Sequence, residues 1–172
     1  FNCLRGIYFN GLDKSNVSEN TFNTDDLGFS VSPSLYGMYL DFCKDYTIKE
    51  NSFNNTSTKL HGAFTWGVIV ANRSGEPTEI FKNTFNRHAI GIEAIDQNRT
   101  TISSTSMEGL EIRCNEFAST HIDIYVANSG AQPVPIKGIN QNQGNPTVLN
   151  GLGLADNLFA TSYVHSNFGN EN

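Results

Sequence analysis

The chain has 172 residues, enough for one domain with a core of its own. Only 16% of them are charged, against about 25% in ordinary globular chains. Asn, Ser, Thr and Gly fill the deficit, and they disfavour long helices because they bond locally or cost backbone entropy. The net charge of −6 is spread along the chain without a Lys/Arg cluster, which argues against nucleic acid as a partner, and no run approaches 18 apolar residues, so no membrane-spanning helix is predicted.

In chain order, the first predicted strand is "GIYFNG" (6–11), a short β-prone run opened by glycine. After it comes "NVSENTF" (16–22), an aliphatic residue, two variable positions, an asparagine, one more position and a phenylalanine. Both segments then recur. The strand returns as "GMYLDF" (37–42), "GVIVAN" (67–72), "GIEAID" (91–96) and "DIYVAN" (123–128). The motif returns as Ile48/Asn51/Phe53, Ile80/Asn83/Phe85, Ile112/Asn115/Phe117 and Leu154/Asn157/Phe159, after the first set Val17/Asn20/Phe22. Successive motif asparagines are 31, 32, 32 and 42 residues apart. Units of this length, which stack on their neighbours, make a solenoid. No unit carries helical apolar spacing, so the units are β-coils. Their bounds are 6–22, 37–53, 67–85, 91–117 and 123–159, within one domain over residues 1–172.

Alternation assigns the faces of the repeated strand. Ile7, Met38, Val68, Ile92 and Ile124 form one inward row, and Phe9, Leu40, Val70, Ala94 and Val126 a second. Each motif Phe is expected to stack on its counterpart in the next coil. Each motif Asn is expected at a sharp turn, because Asn tolerates left-handed backbone and its amide can give and accept along the stack. Asn55, by contrast, reads as a loop residue.

These segments resemble the right-handed parallel β-helices of the pectate-lyase-like superfamily. They resemble in particular the "GI…N-x-I-x-x-N-x-F" repeats of large secreted proteins of the Bacteroidota that carry type IX secretion signals. The tail "IKGINQNQGNPTVLNGLGLADNLF" resembles closing segments of that group. The resemblance implies an all-β fold, a single-stranded right-handed parallel β-helix of about five coils. It also implies a secreted or cell-surface location, other domains on the same polypeptide, and a segment cut from a longer protein.

The outward row of the repeated strand reads Tyr8, Tyr39, Ile69, Glu93 and Tyr125, flanked by Asn10, Asp41, Ala71, Ile95 and Ala127. An aromatic face stacks on the C–H face of a pyranose, so Tyr8, Tyr39 and Tyr125, with Asp41 and Glu93, are the candidate carbohydrate-binding residues, for a polysaccharide or cell-surface glycan. Acid–base cleavage of a glycoside needs two carboxylates about 5 to 9 Å apart. Asp41 and Glu93 stand two coils apart, about 10 Å, and no Arg or Lys shares the outward row, so no catalytic residue is assigned. The favoured function is a non-catalytic extracellular module, a spacer, adhesive or surface-binding domain. The alternatives are a polysaccharide lyase or glycoside hydrolase of the same superfamily, and a carbohydrate-binding module.

No cofactor is assigned. Asp25-Asp26 and Asp41 to Asp45 are candidate calcium ligands without the spacing of a dedicated loop. His88 and His121 fall near equivalent corners but lack a third ligand for a metal. Cys3, Cys43 and Cys114, an odd number without CxxC spacing, read as buried free thiols or one disulfide and a leftover thiol.

Overall fold

The computed structural model describes residues 2–25, 34–57, 65–71, 78–98, 109–127, 138–139, 155–159 and 168–170. Every regular element among them is a strand: β1 Asn2–Cys3, β2 Arg5–Asn10, β3 Asp13–Ser18, β4 Thr21–Thr24, β5 Leu35–Asp41, β6 Lys44–Lys49, β7 Ser52–Asn55, β8 Thr65–Ala71, β9 Thr78–Phe81, β10 Thr84–Asn86, β11 Ile90–Ile95, β12 Leu110–Arg113, β13 Glu116–Ala118, β14 Ile122–Ala127 and β15 Phe168–Asn170. They form three sheets. The first has the order β15-β14-β11-β8-β5-β2, the second β12-β9-β6-β3 and the third β1-β4-β7-β10-β13. The chain visits the first, second and third sheets in turn, then returns to the first beside the strand it left. All pairings between these strands are parallel. The fold is an all-β parallel β-helix, as the repeat predicts.

The ladders are in register. Ile7, Met38, Val68, Ile92 and Ile124 are successive Cα partners, and so are Phe9, Leu40, Val70, Ala94 and Val126. Val17, Ile48, Ile80 and Ile112 line up in the second sheet; Leu154 lies outside the described residues. Phe22, Phe53, Phe85, Phe117 and Phe159 stack with centroid separations of 4.9, 5.0, 5.1 and 6.0 Å and nearly parallel rings. The glycine near the start of β2, β5, β8 and β11 makes room for these rings. A Cβ at Gly37 would stand 2.5 Å from Phe53, at Gly67 2.4 Å from Phe85 and at Gly91 2.6 Å from Phe117. Where Asp123 replaces the glycine, the next ring stands off at 6.0 Å and Phe159 is 37% exposed.

The asparagine ladder also forms. The backbone N–H and Nδ2 of Asn20 both donate to Asn51 Oδ1, and the pattern repeats from Asn51 to Asn83, Asn83 to Asn115 and Asn115 to Asn157. Each Nδ2 from Asn51 onward also bonds the aliphatic carbonyl one coil back, on Val17, Ile48, Ile80 and Ile112. One expectation is corrected. The left-handed residue is not the asparagine but its predecessor: Glu19, Glu50, Lys82, Cys114 and Asp156 have φ between 51° and 59°. The asparagine side chain turns back to the carbonyl two residues earlier, on Ser18, Lys49, Phe81 and Arg113. That bond spans the left-handed residue and holds it in a conformation a non-glycine rarely takes.

Asn55 is a second correction. It is buried, donates to the Arg87 carbonyl at 2.9 Å and accepts from Ser57 N–H at 3.1 Å, so it is a structural corner residue. All three cysteines are free; Cys43 is buried, but Cys3 and Cys114 are only partly so.

Candidate functional site: an aromatic groove on the first sheet

The outward row runs as the alternation predicts, with Tyr8, Tyr39, Ile69, Glu93 and Tyr125 as Cα partners in turn. A second outward row lies beside it: Arg5, Tyr36, Trp66, Ile90 and Ile122. It is the residue before each glycine, and before Asp123 in β14. Because both the glycine and the residue after it face the core, the position before the glycine returns to the outside. Alternation counted from the glycine passes over this row, although aromatics at two successive copies were a signal for it.

Together the two rows build a groove of about 550 Å³, lined among others by Arg5, Tyr8, Tyr36, Tyr39, Trp66 and Glu93. The Tyr8 and Tyr39 rings stand 5.3 Å apart at 41°, and Tyr36 meets Tyr39 edge-on at 5.7 Å and 64°. The Arg5 guanidinium lies 5.8 Å from the Tyr36 ring centre. On the margin, the Tyr8 hydroxyl donates to Asp41 Oδ2 at 3.0 Å, and Asn10 Nδ2 donates to the Tyr8 hydroxyl oxygen at 3.3 Å. Burial, and then the negative charge of Asp41, push the Tyr39 phenol up from its ordinary value, with further contributions from Tyr8, Glu93 and Tyr36. Tyr39 is therefore a neutral hydroxyl at physiological pH, able to donate and accept.

The structure thus brings Tyr8, Tyr39 and Asp41 together, and places Glu93 on the same groove. Tyr125 stands three strands beyond Tyr39 and does not line it. Asp41 and Glu93 do not form a pair: they lie two strands apart and out of register by two residues, with Ile69 and Ala71 on the strand between. The tyrosine rings are tilted rather than coplanar, so they make a walled groove and not a flat platform.

The second sheet carries a charged cleft, not assigned from the sequence. Glu79 and Glu111 are partners on β9 and β12, and Arg113 bonds Glu79, approaches Glu111 at 3.8 Å and lies 4.8 Å from the Phe81 ring centre. Burial pushes the Glu111 carboxyl up; Arg113 pulls it down and Glu79 pushes it up again. Arg113 is engaged by both carboxylates and one ring, which is the arrangement of a surface ion network.

Among the described residues no three His, Cys, Asp or Glu side chains come together as a metal site. Asp26 lies outside the described residues, and Asp45 lines the second-sheet cleft rather than the groove. His88 and His121 lie at neighbouring corners of adjacent coils, where His121 N–H bonds the His88 carbonyl, but they differ in burial, and of the two only His88 is wholly buried. Most of the long segments between the repeated strands lie outside the described residues. No protein-family model, curated protein or solved structure matches the chain.

Proposed function

We propose that the chain is a non-catalytic β-helix module of a secreted or surface protein, and that the aromatic groove is its binding face for a glycan. The groove itself carries the reading. Four aromatic side chains and Ile69 supply apolar walls for the C–H faces of sugar rings, and Arg5, Asn10, Asp41 and Glu93 supply hydrogen-bonding groups at the margins, the composition expected of a small-molecule site. The groove crosses four strands, from β2 to β11, and strands in a sheet are about 4.8 Å apart, so a short oligosaccharide would lie along the solenoid axis. The repeat's resemblance to pectate-lyase-like β-helices and to secreted proteins of the Bacteroidota supports the extracellular placement. Asp41 already accepts from Tyr8 and stands two strands and two register positions from Glu93, so the non-catalytic reading is favoured over a lyase or hydrolase.

Trp66 is the chain's single tryptophan and lines the groove. Its fluorescence therefore reports occupancy. An array of plant, bacterial and host glycans should give hits that shift Trp66 emission on titration, and Tyr39→Ala should weaken the best of them by about tenfold, which is about 1.4 kcal/mol. A blank array with unchanged emission would leave the module a spacer.

A further inference from the structure

The outer layer of the solenoid at β2 and β3 is incomplete in a specific way. Both are edge strands of their sheets, and among the described residues nothing pairs on their outer side. The third sheet differs there: β1 lies outside β4, with Asn2 opposite Asn23 and Cys3 opposite Thr24. One sheet of three thus carries an additional strand. The residues left under the gap are apolar. Ile7, Phe9, Leu12 and Val17 are only partly buried, whereas Met38, Leu40 and Ile48, the same rows one coil further in, have no exposure at all.

The polar ladder is unfinished at the same place. From Asn51 onward each ladder asparagine accepts, on its Oδ1, the N–H and Nδ2 of the coil before it, and returns a bond from its own Nδ2 to the aliphatic carbonyl of that coil. Asn20 is exposed and makes only the forward half of this set, to Asn51 and its own Ser18 carbonyl. A terminal coil of a solenoid normally presents a polar cap; among the described residues this face presents an apolar stripe, two open strand edges and an open acceptor.

We propose that this face seats a further coil of the same repeat, carried by the same polypeptide and running into β1. The interface is the one already made between successive coils inside the molecule. A second copy of the chain fits it less well, because β1 occupies the third-sheet lane that a stacked copy would need. The register makes the proposal sharp. "Phe1-Asn2-Cys3" repeats "Phe22-Asn23-Thr24" and "Phe53-Asn54-Asn55". The coil must therefore place an Asn two residues ahead of Phe1, an aliphatic residue five ahead, and a glycine-led strand whose glycine is about 16 ahead, as Gly6 is to Phe22 and Gly37 to Phe53.

The upstream reading frame of the full polypeptide tests this first: absence of both the Asn and the aliphatic residue at those positions overturns it. The second test compares this chain with the polypeptide extended upstream by one coil of its own sequence. Hydrogen exchange at β2 and β3 should slow by about tenfold or more in the extended form, and its Tm should rise by about 5 °C or more. Unchanged exchange at β2 and β3 overturns the proposal. So does concentration-dependent association of the 172-residue chain that protects β2 and β3 without any extension, since a second copy would then be the occupant.

Discussion

The ladder asparagines do different amounts of work along one row. Asn51, Asn83 and Asn115 are buried, and each takes two donors on Oδ1 while its Nδ2 reaches three acceptors, the carbonyl one coil back, the carbonyl two residues earlier and the next ladder Oδ1. Truncation strands those partners without solvent. Asn51→Ala, Asn83→Ala and Asn115→Ala should each cost about 1–3 kcal/mol, and the exposed Asn20→Ala less than about 1 kcal/mol, by urea denaturation. The residue before each asparagine is strained instead. Lys82 is exposed with φ 54°, so Lys82→Gly should stabilise by about 0.5–1 kcal/mol, the left-handed penalty outweighing the added chain entropy. His88 should make the fold sensitive to acid. Burial lowers its pKa from 6.5 to about 4; the Phe53 backbone pulls weakly the other way, and neither ring nitrogen reaches hydrogen-bond geometry. Between those two values the unfolded chain binds the proton and the folded chain does not. Stability is full above pH 6.5, falls as pH drops toward 4, and loses about 3 kcal/mol in all from this group. His88→Leu should flatten the stability profile between pH 7 and 5; an unchanged slope would assign it to other groups.

At the scale of the element, each of the first four coils pairs a glycine with a phenylalanine. The glycine that opens a first-sheet strand faces the ring that closes the same coil, with no room for a methyl group. Gly67→Ala should therefore destabilise by about 1–3 kcal/mol or more through overpacking. Phe85→Leu should lessen that cost, so the two substitutions should couple by about 1 kcal/mol or more in a double-mutant cycle; strict additivity would mean that the glycine answers to something else. The same pair shows how far the strands were legible. Glycine and inward row recur at one fixed offset, and the aliphatic residue, asparagine and phenylalanine at another, so the ladders, their register and the first-sheet faces follow from spacing alone. The row of Tyr36 and Trp66 does not. It depends on two consecutive inward positions at Gly37-Met38 and Gly67-Val68, which only the ring packing explains. The groove was thus half legible: Tyr8, Tyr39, Asp41 and Glu93 sit on the alternating row, while its second wall sits on the row that alternation skips. Asn55 reads as a loop residue for a related reason, since its neighbours are those of a loop and its bonds to the Arg87 carbonyl and the Ser57 N–H leave no trace in the spacing.

Across the whole molecule, the energetics should be nearly one-dimensional, because each coil touches only its neighbours. One substitution repeated down one ladder measures this directly. Phe53 and Phe85 have a parallel ring on either side at about 5 Å and no solvent exposure. Phe117 has one close neighbour and one at 6.0 Å, and Phe159, past the Asp123 substitution, is partly exposed. Phenylalanine-to-alanine changes in tight cores cost about 3–5 kcal/mol, because lost transfer energy and an unfilled cavity add. Phe53→Ala and Phe85→Ala should fall in that range, Phe117→Ala below them, and Phe159→Ala below about 2 kcal/mol, with the order read from urea midpoints at constant m. A drop in m for Phe85→Ala alone would show the solenoid dividing at its middle into separately melting halves, as stacked repeats do once an internal interface is weakened. Equal costs at Phe85 and Phe159 would contradict the one-dimensional account, since the two rings differ in neighbours and exposure but not in chemistry.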